Sequence, residues 1–339
     1  MRPIFQPRLV NGPFADPALF VDVLFDRRAL LFDLGDITAL PPRKILRASH
    51  VFVTHTHMDH FVGLDRLLRI CLGRARPLKL FGPTGFIDRV EHRLGSYTWN
   101  LVENYRVDLA IDACEVAADG AHLHCARFNS RERFRRVDGD TSVLHDGLLL
   151  DEPALRVRCA VLDHGIPCLG FALEEAMHVN VWPNRLAQLG LEPGSWLRDA
   201  KRAIIAGATD DTRVIARCPE GSTIREKELS LGELRQAALQ SVPGQKIAYV
   251  TDVACHASNL QRIRQLAADA DLLFIEAAFL ERDRDAARRK NHLTASQAGS
   301  IARDCGAREM VPFHFSPRYA DCEAALVSEA RAAFRGVAA

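Results

Sequence analysis

The sequence predicts an α/β fold in which β-sheets lie between layers of helices. Short β-branched and apolar runs alternate with segments of helical apolar spacing along the 339-residue chain. The second half repeats the alternation of the first, which favours sheets sandwiched between helices. Because no internal repeat and no linker rich in Pro, Gly or Ser interrupts the pattern, we expect one domain over residues 1–339.

The first half contains three predicted strands and one clear helix. A helix is predicted after Phe61, because the apolar residues that follow recur at helical spacing up to Cys71. The strands are predicted from apolar or β-branched runs that end at polar or Gly-containing turns. They cover residues 29–33, 50–54 and 78–81.

The second half follows the same order of elements. Thr294-Ala295-Ser296-Gln297 has the pattern of a capping box and predicts a helix to about Asp304. The segment at about 174–245 is the least regular part of the chain, and we expect it to form a lid or an insertion in the domain. The predicted strands of this half cover residues 155–162, 169–173, 246–250, 272–275 and 309–313.

The composition excludes several classes of protein. With 48% hydrophobic and 26% charged residues the chain is typical of a globular protein, and no apolar run reaches the ~18 residues of a membrane helix. A net charge of +1 excludes a protein that grips nucleic acid along its whole surface, so RNA contacts would be local. The cysteines are nine, scattered and without a C-x-x-C pair, which predicts reduced thiols in a cytoplasmic protein.

The strongest chemical signal is His55-Thr56-His57-Met58-Asp59-His60, directly after a predicted strand. Four ligand side chains in six residues cannot share one face of a strand or of a helix, so they converge only from a loop. Imidazoles with a carboxylate and no thiolate suit zinc or a similar divalent ion in a hydrolytic site. The alternative is a polar loop that happens to hold three histidines.

Further ligand types follow the ends of later strands. A single histidine at such a position is more often a hydrogen-bonded structural residue, but a series along one edge of successive strands favours a shared site. The series consists of His164, Asp252, His292 and His314.

These motifs resemble the metallo-β-lactamase superfamily, and within it the ribonuclease Z-like phosphodiesterases. The metal loop matches the superfamily motif H-x-H-x-D-H, and residues 163–171 and 249–252 resemble the stretches around its third histidine motif and its bridging aspartate. Glu276 with residues 292–295, and the H-F-S-x-R-Y-like ending at residues 314–319, resemble motifs specific to the ribonuclease Z branch. The resemblance covers most of the chain and implies the four-layer αββα sandwich of that superfamily.

The resemblance also implies a dinuclear metal site, with zinc expected and manganese or iron as alternatives. The two cations would lower the pKa of a shared water, so that hydroxide exists at neutral pH, and would clamp a phosphate oxygen. One cation would be held by His55, His57 and His164, the second by Asp59, His60 and His314, and Asp252 would bridge them.

The resemblance assigns proton transfer to His292, with Glu276 as the partner that orients its ring. Asp59 belongs to the catalytic set as well as to the ligands. The alternative for His292 is a hydrogen bond at the start of the following helix. Ser316 either binds a phosphate oxygen or caps the C-terminal helix, and Arg289 and Lys290 are candidates for contact with a phosphate backbone.

Other polar residues have plainer alternatives. Asp33 and Asp36 either hold the metal-loop histidines or form an ordinary turn. His122 and His124 share one face of a predicted strand without a carboxylate beside them, which favours an exposed sheet face over a ligand pair. The arginines at 131, 133, 135 and 136 most simply form solvated surface.

The chain departs from the ribonuclease Z pattern in places that concern the substrate. Met58 stands where the metal loop usually has Gly, and Asn11-Gly12-Pro13-Phe14-Ala15-Asp16-Pro17 stands where a basic loop is usual. A Gly/Pro-rich arm between His164 and Asp252 is not evident.

Three functions are therefore compared. The first is a metal-dependent phosphodiesterase that cuts RNA, by default the 3′ end of tRNA precursors. The second is a hydrolase of the same fold acting on a cyclic nucleotide, lactone or thioester. The third is a nucleic-acid-binding protein without catalysis, which the complete ligand set disfavours. A homodimer fits the family resemblance, but no interface can be read from the sequence.

Overall fold

The computed structural model describes residues 4–24, 26–74, 77–220 and 223–337. The chain separates into two compact units, of which the larger comprises Phe5–Leu149, Val157–Leu173 and Lys246–Ala339. The smaller is built mainly from Leu150–Arg156 and Glu174–Gln245. Whether the smaller unit acts as a lid on a single domain stays a prediction.

The strands of the sheets are β1 (Phe5–Leu9), β2 (Leu19–Val23), β3 (Arg28–Phe32), β4 (Ala48–Phe52), β5 (Leu78–Pro83), β6 (Ala110–Val116), β7 (His122–Asn129), β8 (Arg136–Asp138), β9 (Ser142–Val143), β10 (Leu148–Asp151), β11 (Leu155–Asp163), β12 (Pro167–Glu175), β13 (His178–Val181), β14 (Arg213–Glu220), β15 (Thr223–Ser230), β16 (Leu239–Val242), β17 (Lys246–Val250), β18 (Leu272–Glu276) and β19 (Glu309–Phe313).

The α-helices are α1 (Pro42–Ile45), α2 (Met58–Phe61), α3 (Leu64–Cys71), α4 (Phe86–Gly95), α5 (Pro183–Gln188), α6 (Trp196–Ile205), α7 (Leu231–Ala237), α8 (Ala257–Ala267), α9 (Arg284–Arg289), α10 (Ala295–Asp304) and α11 (Glu323–Arg335). Short 3₁₀ helices cover Val102–Asn104, Ser130–Glu132, His145–Gly147, Glu281–Asp283 and Pro317–Cys322.

The first sheet runs in the order β1 to β8, with β9 paired to β7. Its centre is parallel from β3 to β6, and the apolar strands there are buried on both faces, as parallel strands usually are. One face carries α3 and α4, whose apolar residues pack into a single cluster with Leu31 and Val51 of the strands. The helical spacing from Leu64 to Cys71 is thereby confirmed as α3.

The second sheet runs in the order β10-β11-β12-β17-β18-β19, with β17, β18 and β19 parallel. Helices α8, α10 and α11 pack on it through a second apolar cluster that includes Val250 and Ile275. The predicted capping box is confirmed: the Thr294 hydroxyl accepts from the Gln297 amide, and the Gln297 side chain accepts from the Thr294 amide.

An aromatic layer joins the two sheets. The rings of Phe32 on β3 and Phe52 on β4 stack with centroids 5.1 Å apart. Phe171 on β12 lies 5.8 and 5.6 Å from them, and Tyr249 on β17 lies 6.0 Å from Phe32. Because the helices cover the outer faces, the larger unit has the order helix, sheet, sheet, helix, and the predicted αββα sandwich is confirmed.

The smaller unit has its own strands and core. Strand β13 pairs with β16, and β14 pairs with β15, both antiparallel. The helices α5, α6 and α7 contribute Leu186, Trp196 and Leu234 to a separate apolar cluster. The Ser230 and Glu233 side chains form a capping box at the start of α7.

One expectation about the cysteines was wrong. Cys114 and Cys125 form a disulfide between β6 and β7, where the pairing register places them directly opposite each other with 4.1 Å between their Cα atoms. Eleven residues of separation carry no sequence signature for such a pairing, because opposition depends on the strand register. The expectation fails for this pair, whereas six other cysteines are free thiols: Cys71, Cys159, Cys168, Cys255, Cys305 and Cys322. Among the described residues, no helix is both long and apolar enough to span a bilayer.

Candidate metal centre

The metal loop begins where β4 ends and folds back on itself through α2. The side chains of His55 and His60 are fully buried, whereas His57 is exposed at the rim. The ring centroid of His55 lies 4.4 Å from that of His57 and 4.2 Å from that of His60, so the loop brings all three rings together. Met58 is 81% exposed, and the departure from Gly therefore adds no side chain to the interior.

Three residues from distant stretches meet this loop. The His164 ring centroid lies 5.3 Å from that of His55, and the His314 ring centroid lies 5.2 Å from that of His60. Asp252 lies between them: its Oδ2 is 3.4, 3.3 and 3.5 Å from the Nε2 atoms of His55, His60 and His164. Its Oδ1 is 3.0 Å from His314 Nδ1.

These side chains divide into groups that could each hold a cation. The ligand atoms within each group lie within 4.8 Å of one another. The groups are His55, His57, His164 and Asp252; Asp59, His60 and His314; and Asp252, Glu276, His292 and His314.

Buried ring nitrogens support the fit of these residues to a metal. In the described part of the chain, the buried Nε2 atoms of His55 and His60 have no hydrogen-bond partner. Buried polar atoms are nearly always paired. Two unpaired ring nitrogens that face one carboxylate therefore fit a metal ion that would accept their lone pairs. A divalent cation of the zinc, manganese or iron type accepts this donor set.

Asp33 fixes the orientation of the metal loop from behind. It is fully buried, its Oδ2 accepts from His60 Nδ1 at 2.9 Å and from the Tyr249 hydroxyl at 3.0 Å, and its Oδ1 accepts from the Thr54 amide at 2.7 Å. Because Nδ1 of His60 is engaged in this way, Nε2 is the nitrogen that faces Asp252. Of the two roles considered for Asp33, the structure favours the hydrogen-bonded support of a histidine.

His292 and Glu276 form a second pair beside the cluster. His292 Nδ1 donates to Glu276 Oε2 at 2.7 Å, and Glu276 Oε1 accepts from the Val253 amide at 2.7 Å. Glu276 is fully buried, whereas the His292 side chain is 17% exposed. The His292 ring centroid lies 4.9 Å from that of His164, so the pair lies within reach of the ligand cluster.

Comparison with known proteins identifies the family. The chain is 33% identical to the ribonuclease Z of Deinococcus radiodurans over 320 residues, which cover 93% of this chain and 91% of the relative. The chain belongs to the ribonuclease Z family. It is also 27% identical to the ribonuclease Z of Rippkaea orientalis, over 90% of this chain and 82% of that protein.

Further comparisons agree with this family and with the fold. A profile described as a β-lactamase superfamily domain matches residues 234–315. The structure of the short form of human tRNase Z aligns with a TM-score of 0.51 at 19% identity, covering 93% of each chain. The metallo-β-lactamase fold protein YhfI from Bacillus subtilis aligns with a TM-score of 0.52 at 16% identity, covering 97% of this chain and 94% of that chain. The chain is thus a metal-dependent hydrolase of metallo-β-lactamase fold, and its His/Asp clusters indicate divalent metal binding.

The electrostatics of this ribonuclease Z-family site reflect its buried carboxylate. Burial opposes protonation of His314, but the Asp252 carboxylate overcomes it and raises the His314 pKa to about 10. Burial also opposes protonation of His60, yet Asp252 and Asp33 raise its pKa well above the usual value. Burial lowers the pKa of His55 to about 2. The negative charge of Asp252 therefore favours the protonated forms of His60 and His314.

The His292 ring has a different balance. Burial lowers its pKa, but the adjacent Glu276 carboxylate outweighs this and leaves the pKa above the usual value. Glu276 thus favours the protonated ring, whose second nitrogen, the one that Glu276 does not hold, is the proton donor that such a ring can offer.

The plainer alternatives hold for several other residues. Asp36 is exposed and accepts from the Thr38 amide at 2.8 Å, an ordinary turn contact. His122 is exposed on β7 and pairs with Asp119 at 2.8 Å. Arg136 pairs with three carboxylates, so the arginine cluster is in part an ion-paired surface.

A cleft of about 260 Å³ opens beside the cluster. Lys290 and Ser316 line it with His292, and the Ser316 side chain makes no cap hydrogen bond to the helix that follows. Arg289 is exposed at the end of α9 and is not among the lining residues. Phe14 and Asp16 also line the cleft, which the sequence did not predict, because their segment was interpreted only as the place of a missing basic loop.

We expect Asp33→Asn to weaken metal binding by about 10–100-fold, the usual effect of losing the group that orients a ligating histidine. The amide loses the charge that holds the His60 ring in place. Metal content after dialysis against graded chelator would measure the loss. Asp36→Asn is the matched control, since the hydrogen bonds of the Asp36 side chain go to Thr38 within its own turn; equal losses in both variants would contradict the role given to Asp33.

We expect metal binding to release about one proton or more per site at pH 7–8, because imidazoles must be neutral to ligate. The pKa of His314 is raised to about 10 in the metal-free fold, so its proton is bound at these pH values and must leave. Metal affinity should therefore rise with pH until about pH 10. Calorimetric titration in buffers of different ionisation enthalpy would count the protons, and an affinity independent of pH would contradict this view.

Proposed function

We propose that this protein is a ribonuclease Z-type phosphodiesterase that hydrolyses RNA, with the 3′ end of tRNA precursors as its substrate. The observation that carries the proposal is the His292–Glu276 pair, joined at 2.7 Å beside the ligand cluster. A metal cluster alone serves many reactions, but a protonated imidazole beside it suits a reaction whose leaving oxygen needs a proton. The 33% identity to a protein named ribonuclease Z supports the same assignment.

In this proposal His55, His57 and His164 hold one cation, Asp59, His60 and His314 hold the second, and Asp252 serves both. Two divalent cations, with zinc expected, would lower the pKa of a shared water and polarise a phosphate oxygen. The side chains contribute fixed geometry: Asp33 holds the ring of His60, and the backbone oxygen of Asn291 accepts from His164 Nδ1 at 2.9 Å. Because each of these contacts engages Nδ1, Nε2 is the ring nitrogen left to bind a metal ion.

His292 acts as the general acid and Glu276 as its positioning residue. The buried carboxylate of Glu276 keeps the imidazolium charged and fixes its ring plane, while the Val253 amide holds the carboxylate in place. The leaving 3′ or 5′ oxygen of the RNA would take the proton from the free ring nitrogen. The His292 ring centroid lies 4.9 Å from that of His164, so proton donation and metal binding would take place in one site.

RNA contact is local in this proposal, as the net charge of +1 requires. Lys290 lines the cleft and is exposed, so its ammonium can contact a phosphate with little desolvation cost. Ser316 offers a hydroxyl at the same cleft, and Arg289, one residue before Lys290, would contact the backbone outside it.

The function is tested by assaying the zinc- and manganese-loaded protein on a precursor tRNA and on bis-p-nitrophenyl phosphate. Site-specific cleavage of the precursor, lost with chelator and in His55→Ala, would support the proposal. Turnover of the ester, or of a cyclic nucleotide, lactone or thioester, without cleavage of any RNA would replace it with the small-molecule hydrolase.

We expect His292→Gln to slow precursor cleavage by about 10²–10⁴-fold, the usual contribution of general acid catalysis. The ester bis-p-nitrophenyl phosphate has a leaving group that needs little protonation, so its turnover should fall much less. A comparison of kcat for the two substrates, with metal content measured in parallel, separates an acid from a ligand. Equal losses on both substrates together with lost metal would show that His292 is a ligand instead.

A further inference from the structure

The cleft beside the metal cluster is lined by residues of both charges. Asp16, on the loop Pro13–Pro17 that forms one wall, and Lys290 are among them. We infer that the loop Pro13–Pro17 reads a nucleobase next to the scissile phosphate, with the Phe14 ring as a stacking surface and the Asp16 carboxylate as acceptor for an exocyclic amino group. This inference rests on the proposed function and adds a base preference to it.

Phe14 supplies an aromatic surface of fixed orientation. Its ring meets the buried ring of Phe315 edge to face, with centroids 5.3 Å apart. Phe14 itself is only half-buried and lines the cleft, so part of its ring is available to a ligand. Stacking on such a ring strengthens the binding of a base and does not discriminate among bases.

The loop is held in place by backbone hydrogen bonds from residues close to the candidate metal ligands. The Phe315 amide donates to Pro13 O at 2.7 Å, and the Gly35 amide donates to Pro17 O at 3.0 Å. Gly35 has no room for a side chain in this contact, because a Cβ there would lie 2.6 Å from both the Asp16 Cβ and the Asp59 backbone oxygen. The wall therefore has a defined distance from the ligand Asp59.

Asp16 contributes a carboxylate to this wall. The Asp36 amide donates to it, and the negative charge of Asp59 acts on it. A site that bound only a phosphate backbone would gain nothing from this charge, since it repels phosphate. A nucleotide, in contrast, carries a phosphate for the Lys290 side and amino donors for the Asp16 side.

The chemistry of the base edges decides which bases this loop would favour. Adenine, cytosine and guanine each present an exocyclic amino group to a carboxylate, whereas uracil has only an N3–H donor, flanked by two carbonyl oxygens that a carboxylate repels. The wall therefore favours the three amino-bearing bases over uracil.

The test uses the full-length metal-loaded protein and precursor tRNAs in which the nucleotide on each side of the cleavage site is varied in turn. For one of these positions, we expect kcat/KM with A, C or G to exceed that with U by about 10-fold, the lower part of the range for a base contact. In Asp16→Asn, whose amide both donates and accepts, this ratio should fall to within about 2-fold.

Asp140→Asn is the matched control, because Asp140 is an exposed carboxylate remote from the loop in sequence, and it should keep the wild-type ratio. The ratio is taken within each protein, so a general loss of stability or metal does not alter it. Cleavage with equal efficiency for all four bases in the wild type would overturn the inference while leaving the proposed function intact. Failure to cut any precursor would overturn both.

Discussion

The site depends on one buried carboxylate. Asp252 is almost fully buried, and nitrogen atoms of His55, His60, His164 and His314 surround its two oxygens. An isolated carboxylate in this position would be costly, so positive charge must accompany it as protons or as metal ions. This requirement links the distant segments that carry the histidines, because none of them could satisfy Asp252 alone.

The order of the strands places the candidate ligands around the Asp252 carboxylate. Strands β17 and β19 are parallel through β18, so Asp252 and His314 leave the second sheet at the same edge. Asp33, Asp252 and His314 all adopt positive φ angles, of 60°, 51° and 57°, one or two residues after their strands end. Such backbone is unfavourable for residues with a Cβ and is concentrated where function requires a side chain to turn.

The sequence predicted what depends on local pattern and strand order. The compact spacing of residues 55–60 and the run of ligand types after successive strands sufficed for the cluster, and the Thr294 capping box sufficed for α10. It did not predict the Cys114–Cys125 disulfide, because that depends on the register of two strands. Nor did it place Asp16 in the cleft, since a half-buried loop residue is positioned by backbone contacts that leave no periodic signal.

His292 and the candidate metal ligands are anchored in different ways. Asp252 and His314 follow β17 and β19 of the second sheet, whereas His292 lies two residues before Thr294, the N-cap of α10. Helix ends fray at a lower free energy than buried strands open. Warming should therefore loosen the His292 ring before the ligand cluster, and activity that depends on the proposed proton donor would be lost before the sandwich melts.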